Sequence, residues 1–279
     1  MNPLVLQFGP VELHAFTALI LVGVALGIAI ILGMAARRHE RIMPTFDVIL
    51  GGIVGGVIGA RVVHVWLNWI YFSAHTDQIT DYSTGGLDWH GALAFGLLGV
   101  LLVAAVRHIP LGPLLDSFAL AFPVNAITVW LACATAASVY GVEVNTLANY
   151  PAWLVIESPD IYGSIAPRIN LLPIGIVFAL IILADVIVLT ALNKLPGLRF
   201  WLALALYSLG LAVLDFFRAE YVPIWAGRRA DQWLDLIVAL VAILIFGGLA
   251  TLRHRTPDSS GTANPSGRAK RLRPGAAIE

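Results

Sequence analysis

Gly51-Gly52-Ile53-Val54-Gly55-Gly56-Val57-Ile58-Gly59-Ala60-Arg61 is an apolar stretch with a glycine at every fourth position and a guanidinium at its end. Gly51, Gly55 and Gly59, and in parallel Gly52 and Gly56, follow the small-residue spacing that lets two membrane helices approach closely. The stretch lies inside a run, 48–70, long enough to cross roughly 30 Å of hydrocarbon. The expectation is a helix packed in the middle of a helical bundle. Arg61 and His64 lie three residues apart, hence on one face. At that depth a guanidinium must face an interior partner or a wet cavity rather than lipid. Two readings stand: an ion pair with a carboxylate such as Asp47 or Asp88, or direct contact with a ligand.

The rest of the chain agrees with a bilayer environment. Of its 279 residues 59% are hydrophobic and 12% charged, far from a soluble average. Six further runs reach or approach spanning length: 16–36, 92–106, 114–133 or a little beyond, 171–192, 201–217 and 233–252. None shows the period-two alternation of a barrel strand, and only helices otherwise satisfy their own backbone groups in lipid. The predicted fold class is therefore an all-α integral membrane protein with seven transmembrane helices. Residues 1–8 carry no Lys or Arg, so the first span is expected to be permanent rather than a cleaved signal. Cys133 is the single cysteine, which excludes an intrachain disulfide and a cysteine metal cluster. No repeat, nucleotide-binding loop or zinc spacing is present, and the expected surroundings are membrane lipids, not nucleic acid.

Positive charge gives the orientation. The loops after the first, third and fifth runs and the tail hold Arg37, Arg38, Arg41, Arg107, Lys194, Arg199, Arg253, Arg255, Arg268, Lys270, Arg271 and Arg273, twelve of the 17 basic residues. The opposite side holds Arg168, Arg218, Arg228 and Arg229. The bias predicts an external N-terminus and a cytoplasmic C-terminus. Residues 1–255 are then one seven-helix membrane domain, with 141–170 as an external cap rich in Tyr, Trp and Pro. The Ser, Gly, Pro and basic residues of 256–279 predict a disordered cytoplasmic tail drawn to anionic lipid.

Polar groups concentrate at the external ends. Gly85-Gly86-Leu87-Asp88-Trp89-His90-Gly91 puts an ionisable ring at the lip of the third span, and the glycines let the backbone bend or a ligand come close. His90 is a functional candidate; the competing reading is an interfacial histidine that anchors a helix end. Arg228 and Arg229 adjoin Trp225 and Trp233, as in an interfacial belt holding lipid phosphates. Arg218 follows Asp215-Phe216-Phe217 at a span end and is placed to pair with a carboxylate or a phosphate.

In order, these pieces resemble the bacterial phosphatidylglycerol–prolipoprotein diacylglyceryl transferases. Phe8-Gly9-Pro10-Val11-Glu12-Leu13-His14-Ala15-Phe16 is similar to that family's "GP-x-x-x-R-W-Y" entry, with His, Ala and Phe for Arg, Trp and Tyr. Gly59-Ala60-Arg61 resembles its "GAR", and Gly85 to Gly91 its "GG-L-S-F-H-G-G". Tyr207-Ser208 with Asp215-Phe216-Phe217-Arg218 resembles "Y-G…E-F-F-R", and Asp231-Gln232-Trp233-Leu234 its "G-Q-W-L". The resemblance covers about 6–252. Two departures stand out. The signature "G-R-x-G-N-F-I-N-G-E-x-x-G" falls at 129–141, where Trp130 replaces its arginine, and the arginine ahead of "E-F-F-R" falls at Leu211. The "R-H-P-x-Q-L-Y-E" segment survives only as Arg168-Ile169-Asn170-Leu171-Leu172-Pro173-Ile174-Gly175.

The resemblance implies transfer of a diacylglyceryl group from phosphatidylglycerol to the thiol of a prolipoprotein's lipobox cysteine, in a bacterial plasma (inner) membrane, with no metal or organic cofactor. It implies His90 as the base that makes the thiolate. Arg61, Arg168 and Arg218 would face phosphate, with Gly85, Gly86, Gly91 and Gln232 lining the substrate site. Two further readings remain: a non-catalytic relative that holds an anionic lipid or a prolipoprotein, favoured by the missing arginines, and a small-molecule transporter, suggested by seven spans and intramembrane charge.

Overall fold

Helices dominate because long apolar runs in lipid leave the backbone no partner but itself. The structure is a computed structural model describing residues 4–8, 11–82, 85–136, 138–160 and 162–255; the tail of 256–279 lies outside the described residues. In chain order its elements are β1 (Leu4–Phe8), β2 (Val11–His14), α1 (Ala15–Arg37), α2 (Ile42–Leu67), the single turn α3 (Trp69–Phe72), α4 (Trp89–Arg107), α5 (Leu111–Ala136), β3 (Val155–Pro159), β4 (Ile165–Ile169), α6 (Leu171–Ala191), α7 (Arg199–Leu214), β5 (Ile224–Trp225), β6 (Arg228–Arg229) and α8 (Ala230–Arg255). Seven helices are long and apolar enough to cross a bilayer: α1, α2, α4, α5, α6, α7 with the 3-10 turn that follows it, and α8. Three antiparallel hairpins, β1–β2, β3–β4 and β5–β6, add short strands that the seven-run pattern does not announce.

The glycine helix has its partner in α4. A Cβ on Gly51 would meet Val103, one on Gly55 would collide with the Phe95 carbonyl, and one on Gly59 with the Gly91 carbonyl. The contact is reciprocal, since a Cβ on Gly91 or Gly99 would strike the carbonyl of Gly59 or Gly51. Backbone therefore lies directly against backbone where Gly55 meets Phe95, Gly59 meets Gly91 and Gly51 meets Gly99. The rest of α2 corrects the central placement: Leu50, Val54, Val57, Ile58 and Val62 on its other face are exposed, as a flanking helix presents itself to lipid.

The interior belongs instead to α5 and α7. Phe200, Leu204, Tyr207 and Leu211 of α7 pack with Leu115, Ala126 and Trp130 of α5 and with Ala179 and Ile182 of α6. Pro123 sits inside α5 without ending it. Helix α1 docks on α5, where Gly23 and Gly27 leave room for Thr128 and Asn125. Away from the glycine-rich end of α4, Arg107 pairs with Asp47 at 2.5 Å, and buried Arg199 pairs with Asp116 at 3.3 Å.

Because the spans alternate in direction, the C-terminal ends of α2, α5 and α7 and the N-terminal ends of α4, α6 and α8 gather at one end of the bundle. Hairpin β3–β4 tops it, and isolated bridges join Glu143 to Arg168 and Gly141 to Arg218.

Candidate active site

Asp88 starts α4 in an extended conformation and its carboxylate accepts from the Gly91 amide at 3.0 Å, an N-cap that fixes where the next two side chains point. His90 is thereby turned into the bundle, 6% exposed. Its Nε2 lies 2.9 Å from Asp235 Oδ1 on α8, and its Nδ1 lies 3.3 Å from Asp88 Oδ1. Trp89 lies against the ring, centroids 4.3 Å apart, and touches Tyr207 edge-on. Burial works against the charge of Asp88, but the hydrogen bond and positive charge of His90, with the Gly91 amide, hold its carboxyl below the ordinary range.

Asp235 continues into a wider network. It neighbours Asp215, at the end of α7. Asp215 accepts from Arg218 Nη1 at 3.0 Å; Arg218 also donates to Glu220 and lies 3.7 Å from Asp231. Arg229 donates to both oxygens of Asp231, at 3.1 and 2.8 Å, and to the Arg218 and Glu220 carbonyls. Burial opposes the charge of Arg218, yet Glu220, Asp215 and Asp231 raise its proton affinity, so it stays cationic. Arg229, expected at lipid phosphates, is a member of this network. Gln232 is buried one turn before Asp235 and ties α8 to α7 by donating to the Ala212 carbonyl at 2.9 Å.

Arg61 has a different task. Its guanidinium donates to the carbonyls of Ile79 (2.9 Å), Gly85 (2.7 Å), Gly86 (3.2 Å) and Gln78 (2.6 Å), and lies over the rings of Phe72 and Tyr82. Among the described residues it has no salt bridge: Asp88 serves α4, and Asp47 lies 14 residues away, about 21 Å of helix rise. Arg61 therefore clasps the loop that presents His90. Gly85 and Gly86 turn that loop with φ of 79° and 76°, and a Cβ on Gly86 would meet His64. Both line a cavity of about 440 Å³ with Arg61, His64, Gln78 and Tyr221. Gly91 faces α2 and is spent on helix contact. Arg168 lies on β4, buried, 3.4 Å from Asp160 and 3.7 Å from Glu143, over the Tyr140 ring.

The structure thus brings His90, Arg218 and Gln232 to one junction of α4, α7 and α8, and leaves Arg61 and Gly91 as supports. Sequence reasoning missed Asp235 and Glu220. Asp235 lies four residues after Asp231 on a span otherwise free of carboxylates, a signal that was there to read.

The model of the family described as prolipoprotein diacylglyceryl transferase matches residues 3–247. The chain belongs to the prolipoprotein diacylglyceryl transferase family. Similar proteins include the phosphatidylglycerol–prolipoprotein diacylglyceryl transferase of Lactobacillus johnsonii, 33% identical over 43% of this chain and 43% of that protein. The chain therefore matches less than half the length of that relative. Along nearly its whole length it is similar to the proteins of that name from Symbiobacterium thermophilum, 25% identical over 94% of this chain and 97% of that one, and Lactococcus lactis subsp. lactis, 24% identical over 88% and 94%. As a member of the diacylglyceryl transferase family, with seven apolar helices, it is a multi-pass membrane protein. Against the family pattern, Trp130 fills its place with apolar volume: its indole lies where a Cβ on Gly175 would need to be. Leu211 is likewise buried.

Proposed function

We propose that the protein transfers the diacylglyceryl group of phosphatidylglycerol to the lipobox cysteine thiol of a prolipoprotein, at the outer end of a seven-helix bundle in a bacterial plasma membrane, N-terminus outside and C-terminus in the cytoplasm. The thiol passes its proton to His90, a sulfur–carbon bond forms, the carbon–oxygen bond to phosphate breaks, and glycerol 1-phosphate departs with the electron pair of that bond. The supporting observation is the buried His90 between Asp88 and Asp235 at the junction of α4, α7 and α8, beside Arg218 and its carboxylates. His90 is the acid–base group of this reading, with Gln232 securing its helix junction. Arg218 and Arg168 serve as phosphate partners by exchanging a carboxylate for the phosphate, while Gly85 and Gly86 line the adjoining cavity. An apolar cavity of about 250 Å³ between α1, α2, α4 and α5, lined by Leu93, Leu97, Phe118 and Phe122, has the character an acyl chain needs. The 12-to-4 split of basic charge supports the orientation.

A second reading, a non-catalytic relative that holds anionic lipid or a prolipoprotein, is favoured by one observation: Trp130 and Leu211 are buried apolar groups where the family places arginines. The transporter reading draws no support from a family match over 3–247. Complementation separates the two that remain. In bacteria depleted of their own transferase, this chain should relieve the accumulation of unmodified precursor, and His90→Ala should not. Precursor that accumulates regardless, while co-purifying with the chain, selects the second reading.

A further inference from the structure

We propose that the polar cavity of about 440 Å³ beside the loop ahead of His90 seats the glycerol headgroup of phosphatidylglycerol, and that His64 and Asn68 are the residues that tell this diol from other headgroups. The proposal rests on the transferase reading and adds to it the means by which one phospholipid is chosen.

Gly85 and Gly86, in the loop that leads to His90, line the cavity, and so does Tyr221, three residues beyond Arg218. It therefore lies between the segment that presents the base and the segment that presents a phosphate partner, where a headgroup joined through phosphate has to sit. Its size falls in the range of small-molecule sites, about 300–1,000 Å³.

The lining suits neighbouring hydroxyls. His64 and Asn68, four residues apart, share one face of α2 and both line the cavity. The His64 ring meets Phe72 edge-on, centroids 5.8 Å apart, and makes no hydrogen bond among the described residues. Gly86 leaves the ring its place, since a Cβ there would strike Nε2. A neutral imidazole offers one N–H and one lone pair. Asn68 spends Nδ2 on the His64 carbonyl at 2.9 Å, which leaves Oδ1 to accept. Gln78 accepts from the Tyr71 hydroxyl through Oε1 at 2.9 Å, which leaves its amide N–H groups to donate. Each hydroxyl of a diol both donates and accepts, and partners of both kinds are present.

The same lining disfavours an amine. Arg61 spends its donors on four loop carbonyls, but its charge stands at the cavity wall, and no carboxylate is among the described lining residues. Asp88, two residues beyond Gly86, is committed to the Gly91 amide and the His90 ring. An ammonium headgroup would meet like charge without a counter-ion.

The test offers full-length protein in detergent three lipids with matched acyl chains: phosphatidylglycerol, phosphatidylpropanol, which keeps the phosphodiester but lacks both hydroxyls, and phosphatidylethanolamine. Native mass spectrometry counts the lipid retained. Wild type should prefer phosphatidylglycerol over phosphatidylpropanol by about tenfold, as two hydroxyls with partners imply, and hold phosphatidylethanolamine worst. His64→Phe, which keeps a ring beside Phe72, and Asn68→Leu should each narrow the preference with phosphatidylpropanol retention unchanged, whereas His64→Gln should keep most of it. Equal retention of the three lipids by wild type, or of any two that include phosphatidylglycerol, overturns the proposal whether or not a variant folds. A preference that survives His64→Phe or Asn68→Leu overturns it too, as does a His64→Gln that loses it as fully as His64→Phe. Retention does not depend on turnover. Lack of thioether product with the headgroup preference intact would thus sink the transferase reading alone, and product from a protein without the preference would sink the headgroup site alone.

Discussion

Arg61 Nη1 lies 2.7 Å from the Gly85 carbonyl, so a buried guanidinium on α2 holds the loop that leads into α4 and His90. Its four carbonyl acceptors are spread over Gln78 to Gly86 and suit a planar fork of donors. A lysine ammonium cannot reach them all. Hydrogen bonds to charged groups are worth about 1.5–3 kcal/mol each, so Arg61→Lys should cost about 3 kcal/mol or more and lower the thermal midpoint in detergent. An unchanged midpoint with a raised requirement for phosphatidylglycerol would make Arg61 a ligand group instead.

The contact between α2 and α4 is backbone on backbone, and even alanine is too large at its centre. Gly55→Ala and Gly59→Ala should each destabilise by about 1–3 kcal/mol through overpacking, and Gly55→Leu by more. Gly33 in α1 and Gly247 in α8 have nothing within 4 Å of an added Cβ. There alanine should be neutral or slightly stabilising. Thermal unfolding of the four alanine variants side by side checks the ranking; equal midpoints would mean that α2 and α4 do not touch.

Trp130 and Leu211 are buried in the core shared by α5, α6 and α7. Restoring the family pattern with Trp130→Arg and Leu211→Arg would put one guanidinium where the indole now rests on Gly175 and a second in the buried place of Leu211. The double variant should lose folded yield rather than gain activity, because an unpaired buried cation costs several kcal/mol. Size-exclusion profiles decide it: a monodisperse, more active double variant would show that the space is wet and open.

Asp88 predicts the acid response. Its carboxyl titrates lower in the folded protein than in the unfolded chain, where it titrates near 3.9. The contribution to stability is thus fully present above about pH 4 and is lost as pH falls through the lower folded value. Asp88→Ala should lower stability by about 1 kcal/mol or more at neutral pH through loss of the cap, and the gap to wild type should close below about pH 4. A gap independent of pH would show that the carboxylate charge contributes nothing.

The spans were legible because lipid imposes one requirement, an apolar run of sufficient length, and the sequence states it seven times. The close approach of α2 was legible from Gly51, Gly55 and Gly59, but its position was not: glycine spacing marks one tight face and says nothing about what covers the other. The hairpins escaped notice because strands of two to five residues carry no periodicity of their own. In the site, His90 stood out as an ionisable ring at a span boundary, whereas the saturation of Arg218 and Arg229 depends on Glu220 and Asp231 arriving through turns. Arg61 was legible as buried, but its carbonyl partners are backbone groups, which no side-chain pattern can announce.

The most direct measurement supplies purified protein with phosphatidylglycerol and a lipobox peptide and follows peptide mass. The expected result is gain of one diacylglyceryl group on the cysteine, dependent on phosphatidylglycerol and abolished by His90→Ala at an unchanged amount of folded protein. Folded wild type that yields no thioether product at any pH between about 6 and 9, a range that spans the ordinary imidazole titration near 6.5, would contradict the transferase assignment and leave a family fold without its chemistry.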